Sequence, residues 1–417
     1  MKKIARRLLS NTKKKKVLLA LFVLFISLFL LVKISAAAEM DKLIDKLVEK
    51  GILTRDEAKQ IIVEVEQENK LKPDTVKSAE TIKLKGDLRI RYQNEEDGDE
   101  LKNRQRGRYR ARLGAETKVN SNTSAALGLV AGENDPRSRN LTFQNYFETP
   151  GMRLDYAYTT YKAYPWATAE VGKMKEVRKL VFSPSDLLWD SDINPEGASV
   201  LFSKKVNNKF SLFANTGVWI LDESSRQPDP FMCVLQPGFQ YELSNDSYFK
   251  AGATYYGFKN VIGSSPEHSS GTNTREGGTL KYNYSAWNPT VELAFKFPFG
   301  FKSIPFLSLY GEYIKNPSPP VDNTGYVAGF RFGHKKVLNA NEWQIGYSYR
   351  FLASDAWLDT FPDSDIFGGS TNVRGSEITL FYGLNENSYL GVDYYMVSRI
   401  EGDDKRNLLQ LDWNLKF

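Results

Sequence analysis

Residues 405–417 read KRNLLQLDWNLKF. From Leu409 onward the odd positions Leu409, Leu411, Trp413, Leu415 and Phe417 are apolar, while Gln410, Asp412, Asn414 and Lys416 are polar or charged. Successive side chains of a strand point to opposite faces, so this stretch has one apolar face and one wet face. The pattern recurs upstream. In IKLKGDLRIRY (82–92), Ile82, Leu84, Leu88, Ile90 and Tyr92 oppose Lys83, Lys85, Asp87, Arg89 and Arg91. RYRARLGAE (108–116) repeats it, and so do VELAFKF (291–297), FLSLYGEY (306–313), YVAGFRF (326–332), WQIGYSYRF (343–351) and LGVDYYM (390–396).

Short polar turns such as 120–122, 244–246 and 385–387 alternate with long connections at 134–151, 176–195, 259–288 and 353–374. Short turns at one end and long loops at the other are the asymmetry of a membrane barrel. If both chain ends lie on the short-turn side, the strand number is even. Nine strands are predicted up to Phe258 and seven from Thr290–Phe297 to Phe417, sixteen in all. LKYNYSAW (280–287) is assigned to an outer loop, or to an upper part of strand ten broken by Pro289. Charged residues at 25% and a mean hydropathy of −0.43 agree with a barrel, since only half of each strand must be apolar.

The N-terminal region differs. A basic stretch through Lys16, an apolar run from Val17 to Val32 and Ala36-Ala37-Ala38 predict a cleaved secretory signal over 1–38. Residues 1–38 carry nine basic residues and no acid, so subtracting nine from the net +6 leaves −3 for the mature chain. That removes the argument for a nucleic-acid partner. Residues 39–80 predict a periplasmic helical hairpin and linker. Leu43, Ile44, Leu47 and Val48 recur at helical spacing before Gly51, and Thr54 with Glu57 forms a capping-box pattern before Ala58, Ile61, Ile62 and Val65. The single cysteine, Cys233, and the two histidines, His268 and His334, argue against a zinc site or a Cys/His nucleophile. No glycine-rich phosphate loop follows a strand, so no enzyme and no cofactor is expected.

The closing strand with its terminal aromatic, Phe417, resembles the C-terminal assembly signal of outer-membrane β-barrels. With the strand and loop pattern and the helical pair LIDKLVEKGILTRDEAKQII, the chain resembles the putative porin family over roughly residues 39–417. The resemblance implies an all-β transmembrane fold, a sixteen-stranded antiparallel β-barrel over 81–417, preceded by the short α-helical hairpin. It also implies a homotrimer in outer-membrane lipid that lets small hydrophilic solutes or ions diffuse passively. The alternative is a structural protein tethering the outer membrane to the cell wall through peptidoglycan contact of 39–80.

The wet phase of the strands lines the lumen. It sends Arg89, Arg91, Arg108, Arg110 and Arg112 inward from two neighbouring strands, with Arg331 and Arg350 farther round. Like charges this close repel unless answered. Asp87, Glu116 and Asp155 on the same wall could answer them. So could the connection containing FSPSDLLWDSDINPE, which sets Asp186, Asp190, Asp192 and Glu196 beside Leu187, Leu188 and Trp189. Large apolar residues are unusual in a solvent-facing loop. This connection is therefore expected to fold inward, at a position that resembles that of the constriction loop of general porins, placing Asp186, Asp190 and Asp192 opposite Arg89, Arg108 and Arg110; the alternative is an outer loop packing on a trimer neighbour.

Overall fold

The computed structural model describes residues 82–98, 103–225, 227–244 and 246–417. The expected signal segment 1–38 and helical hairpin 39–80 lie outside these described residues. Sixteen long strands form the wall: β1 Lys83–Asp97, β2 Arg104–Lys118, β3 Thr123–Ala131, β4 Met152–Tyr164, β5 Ala167–Lys173, β6 Glu196–Lys205, β7 Phe210–Ile220, β8 Phe231–Ser244, β9 Ser247–Lys259, β10 Ala286–Lys296, β11 Phe306–Lys315, β12 Thr324–Gly333, β13 Trp343–Leu352, β14 Val373–Asn385, β15 Ser388–Arg399 and β16 Lys405–Lys416. Each pairs antiparallel with its sequence neighbours, and β1 also pairs with β16, so the sheet closes without a free edge. Closure matters because unpaired backbone groups in hydrocarbon each cost several kcal/mol.

The closing seam shows why the alternation had to be strict. Leu88 faces Leu415, Ile90 faces Trp413 and Tyr92 faces Leu411, whereas Arg89 faces Asn414, Arg91 faces Asp412 and Gln93 faces Gln410. Leu411 and Trp413 are 43% and 48% exposed on the outside, while Gln410 is fully buried within. A one-residue slip would exchange these sets. The terminal residue joins the ladder: Gly86 N–H donates to the Phe417 carbonyl (2.6 Å), and Phe417 N–H donates back to Gly86 (3.0 Å). The Phe417 ring lies over Gly86, where any Cβ would come within 2.3 Å of it. Only glycine fits beneath that ring.

Two local details differ from expectation. Pro289 does not break β10. The strand runs through it from Ala286, and the pairing with β11 keeps one register on both sides, Trp287 with Lys315 and Thr290 with Glu312. The ladder is interrupted only at 288–289, where Asn288 Nδ2 donates to the Tyr313 carbonyl (2.9 Å). Second, the lumen at the height of Gln410 is packed: its amide nitrogen and oxygen are both buried without a partner among the described residues.

The two faces of β16 therefore carry opposite predictions. Leu411→Arg, near mid-bilayer, should cost about 2–4 kcal/mol, and Leu415→Arg, close to the interface, about 0–1 kcal/mol. Gln410→Leu should be neutral or stabilising, because it removes two buried polar atoms that have no partner among the described residues. Urea titration of the heat-modifiable folded band in detergent measures all three, and equal costs for Leu411→Arg and Leu415→Arg would contradict the depth assignment.

Candidate functional site: the barrel interior

The connection between β5 and β6, residues 174–195, turns into the barrel through a short helix, α1 Val177–Leu180. Its apolar side chains drive this. Leu187, Leu188 and Trp189 are at most 1% exposed. The Trp189 ring packs against Trp219 of β7 (5.7 Å between centroids), Tyr256 of β9 (5.8 Å), Trp357 (5.3 Å) and Phe361 (4.9 Å). Its indole N–H donates to the Tyr256 hydroxyl (3.1 Å). Trp357 and Phe361 belong to a second inward connection, residues 353–372 between β13 and β14, and Trp357 Nε1 donates to the Leu188 carbonyl (2.8 Å). The two loops are thus joined by an aromatic cluster seated on the β7–β9 wall.

Both loops carry the tetrapeptide Asp-Ser-Asp-Ile, at 190–193 and 363–366, and both fold it the same way. Asp190 accepts the N–H of Asp192 (2.9 Å), and Asp363 accepts that of Asp365 (3.0 Å). The isoleucine N–H then returns to the carbonyl of the first aspartate, at 3.2 Å in each loop. These are Asx turns. They meet where Ser364 N–H donates to the Asp190 carboxylate (2.8 Å) and Asp190 N–H to the Phe361 carbonyl (2.8 Å). In each turn the second aspartate reaches the arginine wall. Asp192 lies 3.5 Å from Arg110 and 3.4 Å from Arg112, and Asp365 lies 3.5 Å from Arg91. The repeated tetrapeptide was a readable signal for the second loop, which sequence reasoning missed.

The acids split by environment. Burial works to raise the carboxyl of Asp192, but Arg110, Arg112, Arg89 and Arg139 outweigh it and hold the group below its ordinary value. Asp186 is likewise raised by burial and lowered further by Arg350 and Arg178. Asp190 has no such cation, and burial together with the Asp192 charge pushes it up to about 8. Burial, Asp186 and Asp365 also raise Asp363. Asp192 and Asp186 are therefore charged anchors, while Asp190 and Asp363 act mainly as hydrogen-bond acceptors at neutral pH.

The structure places the seven expected arginines as follows. Arg110 donates to Asp87 (2.9 Å) and approaches Asp192, and Arg112 does the same, at 2.6 Å from Asp87. Arg91 holds Asp412 through two bonds, at 2.7 and 2.8 Å. Arg89 donates to Asn414 (3.0 Å), beside Asp412 (3.3 Å). Arg108 turns instead to Gln93, Ser138 and the Asn140 carbonyl. Arg331 donates to the Pro184 carbonyl in the loop and lies over the Tyr310 ring at 4.5 Å. Arg350 binds Asp186 (2.6 Å) and Glu377 (2.7 Å), with Asp363 at 3.7 Å.

Of the expected loop-to-wall pairs, only Asp192 with Arg110 forms; Asp186 reaches Arg350 on β13 and Asp190 joins the second loop. Glu196 is the first residue of β6 and pairs with Lys173 (2.6 Å), so it is strand and not loop. Among the wall carboxylates, Asp87 answers two arginines, Glu116 binds Lys85 and Asp155 binds Arg139. Arg139, Arg178 and Glu377 were not singled out from the sequence, because nothing local marks them, and Asp363 and Asp365 were marked only by the repeated tetrapeptide.

Two cavities flank the loop. A larger one, about 760 Å³, opens among the long connections over Trp189, Trp219 and Phe361. A smaller one, about 300 Å³, lies toward the short-turn end and is lined by the arginine wall and the end of β16.

No curated protein sequence matches the chain. Among solved structures it is similar to the high-pH structure of Pseudomonas putida OprB, with 12% identity, 81% of this chain and 94% of that chain covered and a TM-score of 0.55. The outer membrane channel DcaP of Acinetobacter baumannii is similar at 15% identity, covering 81% of this chain and 97% of that one, with a TM-score of 0.45. The model of the family described as "Putative porin" matches residues 96–291 and 312–417, well over half of the sequence. With that match and a closed sixteen-strand barrel behind it, the chain belongs to the putative porin family and is a β-barrel channel of the outer membrane.

Proposed function

We propose that this channel passes small hydrophilic solutes or ions by passive diffusion, with the charges of loop 174–195 and the β1–β2 arginine wall setting its selectivity. The observation that carries the reading is the contact of Asp192 with Arg110 and Arg112, which sets acidic and basic groups side by side inside a closed barrel. Charges at the narrowest point act on a permeating ion with the least screening. In this reading Arg89, Arg91, Arg108, Arg110, Arg112, Arg331 and Arg350 line the path, Asp186, Asp190 and Asp192 belong to the constriction, and three copies assemble in the lipid.

Conductance and reversal potential of the purified protein in a planar bilayer under a salt gradient test it. Arg110→Gln with Arg112→Gln should shift permeability severalfold toward cations, and Asp192→Asn should shift it toward anions. Unmoved reversal potentials would place the ion path away from this contact. The aromatic packing on one side of the lumen supports a second reading, a non-conducting scaffold tethered through 39–80. A silent bilayer with correctly folded protein would select that one.

A further inference from the structure

The smaller cavity carries more charge than a passive wall requires. Arg89, Arg110, Arg112, Arg178 and Lys416 line it, against Asp87, Glu176 and Asp192. Five cations facing three carboxylates leave an excess of two positive charges in the lining, where Arg89 and Arg178 have only a share of Asp412 and Asp186, each also held by another arginine. The arginines are forced together by register, since Arg89 and Arg110 are directly opposed across β1 and β2. Like charges in that position destabilise a sheet unless something neutralises them. Asp87 and Asp192 do so for Arg110 and Arg112. The excess collects elsewhere.

Arg89 donates only through Nε, and its two terminal nitrogens make no hydrogen bond among the described residues. Its neighbour Asp412 is already held by two bonds from Arg91. Arg178 has a buried Nε without a partner, and its closest carboxylate, Asp186, is 3.7 Å away and shared with Arg350. Lys416 Nζ has no acceptor among the described residues and sits 5.2 Å from the centroid of the Tyr389 ring. Tyr389 supplies an apolar side to the same cavity.

From this geometry we infer that the cavity beneath loop 174–195 is a binding site for a small organic dianion, a molecule bearing two carboxylates or a phosphate on a short carbon skeleton. A lining excess of two positive charges matches a dianion, and planar guanidinium forks match carboxylate or phosphate oxygens. About 300 Å³ is at the small end of ligand pockets and suits a small anion. The ligand's head bridges Arg89 and Arg178, and its carbon body rests on Tyr389. The site rests on the channel reading for its role in transport, but its occupancy does not depend on conduction.

Isothermal titration of the full-length protein in detergent, at pH 7 and low salt, tests it with succinate, glycerol 3-phosphate and acetate. Saturable binding of succinate or glycerol 3-phosphate, at least tenfold tighter than acetate and weakened by salt, is expected; whichever dianion binds tighter names the head group. Arg89→Gln should lower that affinity at least tenfold. Lys416→Gln, at the exposed end of β16, should lower it severalfold and serves as the reporter if Arg89→Gln fails to fold. Acetate binding as tightly as the dianions, no saturable binding by any probe, or unchanged affinity in both variants would overturn the site. If the protein binds but carries no current, the site stands and the diffusion reading fails.

Discussion

Arg350→Ala should be among the most damaging single truncations inside the barrel, costing about 3–5 kcal/mol of stability. The Arg350 side chain is 4% exposed and faces Asp186 of one loop, Asp363 of the other and Glu377 of β14. Truncation leaves three buried carboxylates with Arg178 as the closest remaining cation, 3.7 Å from Asp186. Both loops lose the charge contact that Arg350 makes with Asp186 and Asp363. Arg350→Lys should recover only part of the loss, because one ammonium cannot span three acceptors set around a planar fork.

The pH response separates this account from a simple packing defect. In the native protein Asp186 is held below its ordinary 3.8. Its contribution is present above that value and is lost as pH falls through the lowered one. In Arg350→Ala the sign reverses for Asp186: with its main cation gone, acidification neutralises a buried carboxylate and should stabilise the variant as pH falls below neutral. Urea midpoints of the folded band at several pH values give the comparison. A variant that loses stability on acidification in parallel with the native protein would show that the carboxylates are answered from elsewhere.

Trp189→Ala is expected to free the loops while leaving the wall intact. Removing a fully buried indole from an aromatic cluster costs about 3–5 kcal/mol. Here it deletes the contacts with Trp219, Tyr256, Trp357 and Phe361 and the hydrogen bond to the Tyr256 hydroxyl. Because none of the sixteen strands depends on this residue for its ladder, heat-modifiable migration should persist. Loop 174–195 should become open to protease, and single-channel conductance should rise and grow noisy. Deleting Leu187–Asp192 should raise it further and steadily, since bulk and charge leave together. Unchanged conductance in both variants would put the permeation path on the far side of the lumen from this loop.

The strand count was legible because the pattern that specifies it is local. Leu411 and Gln410 alternate under any tertiary arrangement, and the same period in IKLKGDLRIRY fixed which of its residues face outward. Pro289 shows the limit of that reasoning. A missing N–H weakens a strand locally, yet the neighbouring register and the Asn288 side chain carried β10 through it. The inward loop was legible in composition, through Leu187, Leu188 and Trp189, but its partners were not.

By itself, then, the sequence determined the alternating wall, its even closure, the arginines on the inner face of β1 and β2, and an apolar, acidic connection unsuited to water. The tertiary structure alone decided which acid meets which base. Asp186 and Arg350 are 164 residues apart, and Asp190 depends on Ser364, 174 residues away. A strand's faces follow from backbone geometry at neighbouring residues. A loop's partners follow from where the closed sheet carries distant segments, and from the cost of leaving charged or aromatic side chains without a neighbour once there. That is why Asp192 reached Arg110, while Asp186 went to Arg350 on β13 and Asp190 bound a loop that period and composition had not marked.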